Sequence, residues 1–269
     1  MHLRHWGLNQ PLFSSKINVN HYFKSSTHEE AAARIQFLVQ QNRRLGMLMG
    51  TGGTGKSMLF DVTSRQLRRS GCFVAKINIL GLDGSEFLWR LANALGGSVP
   101  NDAGHVQVWQ AIQDRLATLR YQRIATVVFI DDADECEAEV LTLLNRLVQM
   151  EQQPDSRLNI VLACNSHRTQ LVGSRLLELC ELPISIEPLS SDETIEYVNE
   201  ATSRAGRSTP IFSADGFATL FTLTQGIPRA INRLVDLCLI AGSAEELQEI
   251  DGETVESIQD SFEIRQLVA

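Results

Sequence analysis

A parallel α/β sheet followed by a small all-helical domain is the fold class this sequence predicts, and three observations predict it. Short apolar runs alternate with longer helical patterns up to Pro188. A glycine-rich octapeptide lies between one apolar run and the helical segment that follows it. Beyond Pro188 the apolar runs stop, and only helical patterns remain.

The strands are expected at 45–49, 72–79, 125–130, 158–163 and 182–187. Each is an unbroken apolar run rather than an alternation, as a sheet covered by helices on both faces requires. Thr27 with Glu30 three residues later reads as a capping box for a helix reaching about Gln41. A helix over 56–70 ends at Gly71, which suits a left-handed C-cap. Asp102-Ala103-Gly104 opens a helix over 104–121, and a helix over 137–150 is closed by the Pro154-Asp155 turn. Ser190 and Glu193 form a second capping box, followed by helices near 191–205, 214–224, 228–241 and 252–264. The expected organisation is an N-terminal segment over 1–26, an α/β core over 27–188 and a helical lid domain over 189–269.

Composition narrows the function. The chain has 269 residues, 43% hydrophobic and 21% charged, enough apolar material for a large core. No run approaches the roughly 18 apolar residues of a membrane helix, so an integral membrane protein is not expected. MHLRHWGLNQ at the start has no long apolar stretch after its charges, so no secretory signal is expected and the location is read as cytoplasmic. A net charge of −8 disfavours a general nucleic-acid wrapper, although a local basic patch remains compatible with it. The five cysteines are scattered without a CxxC pair and read as reduced thiols. The six histidines show no metal-ligand spacing, and Trp6, Trp89 and Trp109 read as packing residues.

The octapeptide Gly50-Thr51-Gly52-Gly53-Thr54-Gly55-Lys56-Ser57 matches GxxxxGK[ST] in full. Its glycines let backbone N–H groups turn inward around phosphates at the start of a helix. Lys56 would neutralise the β- and γ-phosphate oxygens, Ser57 would ligate Mg²⁺, and Met58 would border the bound nucleotide. In VVFIDDADE, the apolar residues Val127 to Ile130 deliver Asp131 to the edge of the sheet where ligands bind. Asp131 is expected to hold Mg²⁺ and Asp132 to polarise the attacking water as general base. Asp134, Glu135 and Glu137 read as a solvated acidic loop. Asn165, just past 158–163, is placed to hydrogen-bond the water or the γ-phosphate. Pro228 fixes a helix start, which holds Arg229 rigidly for a role at the phosphates, with Arg233 one turn on. Arg175 falls where it can face a neighbouring subunit and act as an arginine finger. The cofactors expected are ATP and Mg²⁺.

Taken together, the P-loop, the strand ending in two aspartates, the polar residue after the next strand and the GIPR segment resemble an AAA+ ATPase. More narrowly, the chain is similar to ATPases of the general secretion pathway protein A type. That resemblance is carried by His5-Trp6-Gly7-Leu8-Asn9-Gln10-Pro11-Leu12-Phe13, by 22–31, by the P-loop, and by Gly226-Ile227-Pro228-Arg229-Ala230-Ile231-Asn232-Arg233-Leu234. It implies a P-loop NTPase fold with strand order 5-1-4-3-2. It also implies ATP hydrolysis at the interfaces of a self-associating ring or dimer, and an N-terminal segment that packs near the nucleotide base.

Two departures shape the functional expectation. The family usually has Asp-Glu where this chain has Asp131-Asp132, and the shorter side chain implies slow hydrolysis, a switch or assembly factor rather than a motor. Secretion members continue into a membrane helix, whereas this sequence reads to Ala269 after one further helix, so a membrane partner is expected to be a separate polypeptide. Two alternatives stand beside this reading. One is a DNA-binding ATPase that regulates transposition, with Arg34, Arg43, Arg44, Arg65, Arg68 and Arg69 as a basic stripe. The other is a nucleotide-dependent scaffold that does not hydrolyse.

Overall fold

The computed structural model describes residues 2–14, 18–100, 103–150 and 155–268, with side chains described to residue 261. Two compact units result. One comprises Ser26–Gly52 with Lys56–Ile186; the other comprises Met1–Ser25, Gly53–Gly55 and Glu187–Ala269.

In the first unit the order is α2 (Ser26–Gln40), β1 (Leu45–Gly50), α3 (Lys56–Arg69), β2 (Phe73–Asn78), α4 (Gly84–Ala94) and α5 (His105–Tyr121). There follow β3 (Thr126–Asp131), α6 (Ala138–Met150), β4 (Leu158–Cys164), α7 (Ser174–Leu179) and β5 (Leu182–Ile186). All the strands are parallel and lie side by side as β2-β3-β4-β1-β5, the order 5-1-4-3-2 read from the other edge. β4 lies between β1 and β3 in the sheet, so the ends of β1 and β3 flank the end of β4 at the same edge.

The apolar runs of the strands are continuous because both faces are covered. On β3, Val128 and Ile130 join a core with Phe87 and Leu91 of α4, Ile112 and Leu116 of α5, and Leu144 of α6. Phe129 points to the opposite face, where its ring lies 4.5 Å from that of Phe60 on α3. Such a strand leaves no solvated side, and all six residues of β3 are buried.

Helix ends follow local chemistry in most places. Gly71 adopts φ +88° and donates its N–H to Arg68 O while Cys72 N–H reaches Leu67 O, the two bonds of a Schellman C-cap. The Ser190–Glu193 capping box forms in both directions. Thr27 does not cap α2: the helix already starts at Ser26, which places Thr27 inside its first turn. Helix α4 was not expected; Asp83 caps it by accepting from the Glu86 N–H at 2.8 Å. Asp102 and Pro154, the expected opening of α5 and closure of α6, lie outside the described residues, and the N-cap of α5 is Gly104.

The second unit contains α1 (His2–His5), α8 (Ser191–Arg204), α9 (Ala214–Thr224), α10 (Pro228–Ala244) and α11 (Gly252–Val268). Its core is built partly by the N-terminal segment. Trp6 is 1% exposed, its indole N–H donates to Leu239 O at 2.8 Å, and its carbonyl accepts from Arg207. Asn9 N–H donates to Ala205 O, and Phe13 stacks on Tyr197 at 5.4 Å between ring centres. Of the other tryptophans, Trp109 is buried, but Trp89 keeps 36% of its surface exposed and is not a full packing residue. No helix among the described residues is long and apolar enough to cross a membrane.

Since Trp6 ties the N-terminal segment to α10, its truncation should open a cavity in this unit. Trp6→Ala is expected to cost about 3–5 kcal/mol, read as a lower urea midpoint of the helical unit by far-UV circular dichroism. An unchanged midpoint would mean that the segment packs without stabilising.

Candidate nucleotide site

The C-terminal ends of β1, β3 and β4 converge because parallel strands in this order place all their carboxyl ends at one edge, where open α/β sheets bind ligands. From β1 the chain turns through Gly50–Gly55 into α3. Gly53 and Gly55 adopt φ +92° and +103°, values that side-chain-bearing residues avoid, and Thr54 between them is completely buried. A loop of this shape aims consecutive backbone N–H groups at one point, which suits a phosphate. Residues 53–55 pack with the helical unit: Arg229 N–H, in the first turn of α10 behind Pro228, donates to Gly53 O at 3.3 Å.

Lys56 opens α3 with its Nζ folded onto Gly50 O at 2.7 Å and Thr51 O at 3.2 Å. Burial holds its pKa below the usual lysine value, although Asp131 and Asp134 pull it back up. A cation kept partly desolvated by carbonyls has much to gain from an incoming anion. Met58 lies half-buried one residue past Ser57, in the first turn of the helix.

Ser57 donates its hydroxyl to Asp131 Oδ2 at 2.5 Å. Asp131 is 3% exposed at the end of β3, and burial raises its carboxyl above the ordinary aspartate value. The Ser57 hydroxyl and Lys76 oppose that rise, while Asp132 adds to it. Lys76 on β2 pairs with Asp61 of α3 at 2.5 Å. A serine hydroxyl and a carboxylate in contact are hard oxygen donors, the chemistry Mg²⁺ takes beside phosphate oxygens, so the residues present fit that ion.

Asp132 adopts a left-handed backbone, φ 58° and ψ 43°, which Asp tolerates better than most residues. Its Oδ2 accepts from Asn78 Nδ2 at 2.6 Å, and Asn78 Oδ1 in turn accepts from Leu80 N–H. Asn78 ends β2 in register with Asp131, so the neighbouring strand holds the Asp132 carboxylate expected from the sequence to be the general base. Neither Asn78 nor Lys76 was singled out from the sequence. The polar end of the second strand was visible there, but only the strand order makes it a neighbour of the two aspartates.

Asp134 corrects the reading of a solvated acidic loop. It is 7% exposed, accepts from the Asn165 backbone N–H at 3.1 Å, and lies 3.7 Å from Arg168 Nε. Arg168 also pairs with Glu135. These bonds tie the turn after β3 to the end of β4. Asn165 Oδ1 caps the following turn by accepting from His167 N–H, and its Nδ2 lies 3.9 Å from where a Cβ on Gly52 would sit. One end of the side chain is therefore used structurally while the amide faces the phosphate loop. Arg175, the second residue of α7, is exposed and makes a 3.3 Å pair with Glu178 on the same helix. The thiol of Cys164, at the end of β4, is pushed by burial up to about 12 and stays protonated.

Residues 39–172 match the family described as AAA domain. The chain is 28% identical over 254 residues to General secretion pathway protein A of Aeromonas hydrophila, an alignment covering 93% of this chain and 46% of that protein. It thus spans less than half the length of that relative. Among solved structures, Cdc6p from Pyrobaculum aerophilum aligns with TM-score 0.70 at 16% identity, over 93% of this chain and 70% of that one. The Aeropyrum pernix ORC1 protein in complex with DNA gives TM-score 0.68 at 16% identity, over 93% and 68%. The Thermotoga maritima RuvB Holliday junction branch migration motor gives 0.59 at 14%, over 89% and 69%. The fold is therefore the AAA+ P-loop fold, and the similarity to the AAA domain family is carried by residues 39–172.

The raised pKa of Asp131 has a stability consequence of definite sign. A carboxyl whose folded value lies above its unfolded value opposes folding once the pH is high enough to ionise it. Asp131→Asn should therefore melt higher than wild type without nucleotide near pH 8, and the advantage should vanish on acidification below about pH 4. The same variant should lose the extra stabilisation that Mg²⁺ adds to ATP. Differential scanning calorimetry across pH checks both, and a lower melting temperature near pH 8 would contradict the account.

Proposed function

We propose that this chain, built on an AAA domain, binds Mg-ATP and hydrolyses it slowly, acting as a switch or assembly ATPase of the secretion type. One observation carries the reading: a complete GxxxxGKS loop whose Ser57 hydroxyl meets Asp131 at 2.5 Å at the carboxyl edge of the sheet. Gly50, Thr51, Gly52, Gly53, Thr54 and Gly55 would wrap the phosphates with backbone N–H groups, and Lys56 would exchange its carbonyl partners for phosphate oxygens. Ser57 and Asp131 would hold Mg²⁺, which when bound offsets the phosphate charge.

Asp132 would take the proton of the attacking water, with its carboxylate set by Asn78, and the Asn165 amide would orient that water. Arg229 and Arg175 are proposed to stabilise the charge of the transferring phosphoryl group, Arg175 across a subunit contact. Asp132 supports slow turnover. Its carboxylate is one methylene shorter than glutamate and is engaged by Asn78. Self-association, a separate protein partner in a membrane and a cytoplasmic location belong to this reading. The similarity to General secretion pathway protein A supports the secretion-type reading from which they follow.

A second reading, a DNA-responsive ATPase, is favoured by one observation: arginines gather at the edge of the sheet opposite the P-loop. Steady-state Mg-ATP turnover with and without duplex DNA separates the two. A slow rate indifferent to DNA supports the first, and stimulation lost on raising salt supports the second.

Substitutions test the site. Lys56→Ala should abolish tight ATP binding, and retained micromolar affinity would refute the phosphate assignment. Asp132→Asn should lower kcat by about 10²–10⁴ with nucleotide affinity unchanged. Asp132→Glu should raise kcat if the shorter side chain limits the native rate. A chain inactive as wild type and as Asp132→Glu would instead be a scaffold that binds nucleotide without hydrolysing it.

A further inference from the structure

We propose that the strand-entry edge of the α/β unit, opposite the P-loop, binds a single nucleic-acid strand. A cavity of about 760 Å³ opens there, and three of its lining residues are Arg120, Arg123 and Arg157. They converge because α5 ends where β3 begins and β4 starts beside it, so helix C-terminus and strand N-termini share this edge. Among the described residues Asp155 alone contributes a carboxylate to the lining, 3.8 Å from Arg120. Arg157 Nη1 donates to Arg123 O at 3.2 Å rather than to an acid, and both side chains are exposed.

The surrounding edge carries the same sign. Arg43 and Arg44 precede β1, next to the lining residue Asn42, whose amide donates to Ser156 O. Arg68 and Arg69 end α3 at the same side of the sheet. Cations there also complement helix C-termini. That accounts for Arg68 and Arg69, but not for Arg43, Arg44 and Arg157, which lie at strand starts. In a chain of net charge −8, seven arginines against Asp155 and Glu181 form a marked local reversal among the described residues.

Tyr121 decides which polyanion fits. It ends α5 at the rim of the cavity and is 91% exposed, an aromatic ring held in water beside three guanidinium groups. Guanidinium forks match phosphate oxygens, and an exposed ring provides a platform for an unpaired base. An acidic peptide would satisfy the arginines but offers the ring nothing specific. A duplex presents its bases already stacked. The proposal shares with the second functional reading only the arginine-lined edge and commits to a single strand in place of a duplex. Measuring binding without ATP keeps a failure of this site distinct from a failure of the ATPase.

Fluorescence anisotropy of the full chain with a labelled oligothymidylate of about 16 nucleotides tests it. Three phosphate contacts predict a log–log salt slope of about −2, so raising salt from about 50 to 200 mM should weaken binding about 20-fold. Combined Arg123→Glu and Arg157→Glu should weaken binding by at least about tenfold, consistent with the loss of charge-assisted phosphate contacts. Tyr121→Ala, at a position too exposed to support the fold, should weaken the single strand about 5- to 150-fold and leave a duplex unaffected. Basal ATP turnover and melting temperature should stay at wild-type values in both variants. No binding at low salt, equal or tighter binding of duplex or polyglutamate, or variants that bind like wild type would each overturn the proposal.

Discussion

Asp131 is a carboxylate delivered by a fully buried strand to a site where it accepts from the Ser57 hydroxyl and the Asp132 backbone N–H, with a lysine farther off. Burial disfavours its charge, an electrostatic cost that a cation beside it would relieve. Around that carboxylate the rest of the site is arranged. Ser57 must open a helix to face it, which requires the glycine turn before α3. Asp132 must turn away in a left-handed conformation to reach Asn78 rather than follow the strand.

The sheet order supplies what that carboxylate needs. Placing β4 between β1 and β3 puts Asn165 and the P-loop in one neighbourhood, and placing β2 outside β3 brings Lys76 and Asn78 to the two aspartates. A different order of the same strands would leave the P-loop and Asp131 intact in sequence and separate them in space. The network of Asp134, Asn165, Arg168 and Glu135 then fixes the turn after β3 to the turn after β4, so the segments carrying Asp132 and Asn165 are coupled through a buried carboxylate.

The same topology gives the unit two chemically different edges. Carboxyl ends of strands and the N-terminus of α3 make one edge a place for phosphates. Strand starts and helix C-termini make the other edge one where arginines accumulate, with Tyr121 among them. The helical unit has its own core, organised by Trp6 and closed by α10, so the N-terminal segment is structural material for that unit.

What the sequence alone determined was whatever depends on neighbours along the chain. Five continuous apolar runs told of a sheet covered on both faces, GxxxxGKS told of a phosphate loop, and Gly71 and the Ser190–Glu193 pair told of helix ends, because turn geometry, capping and strand burial are local. Helix α4 escaped notice although Asp83 caps it, and Thr27 was misjudged by a residue, since competing local signals are settled by packing. Tertiary structure decided which polar groups meet. Asn78 with Asp132, Asp134 with the Asn165 N–H, Lys76 beside Asp131 and Arg157 against the Arg123 carbonyl join residues 31 to 55 positions apart. Such pairs leave no periodicity in the sequence, because strand order and register, not spacing along the chain, set the distance between their side chains.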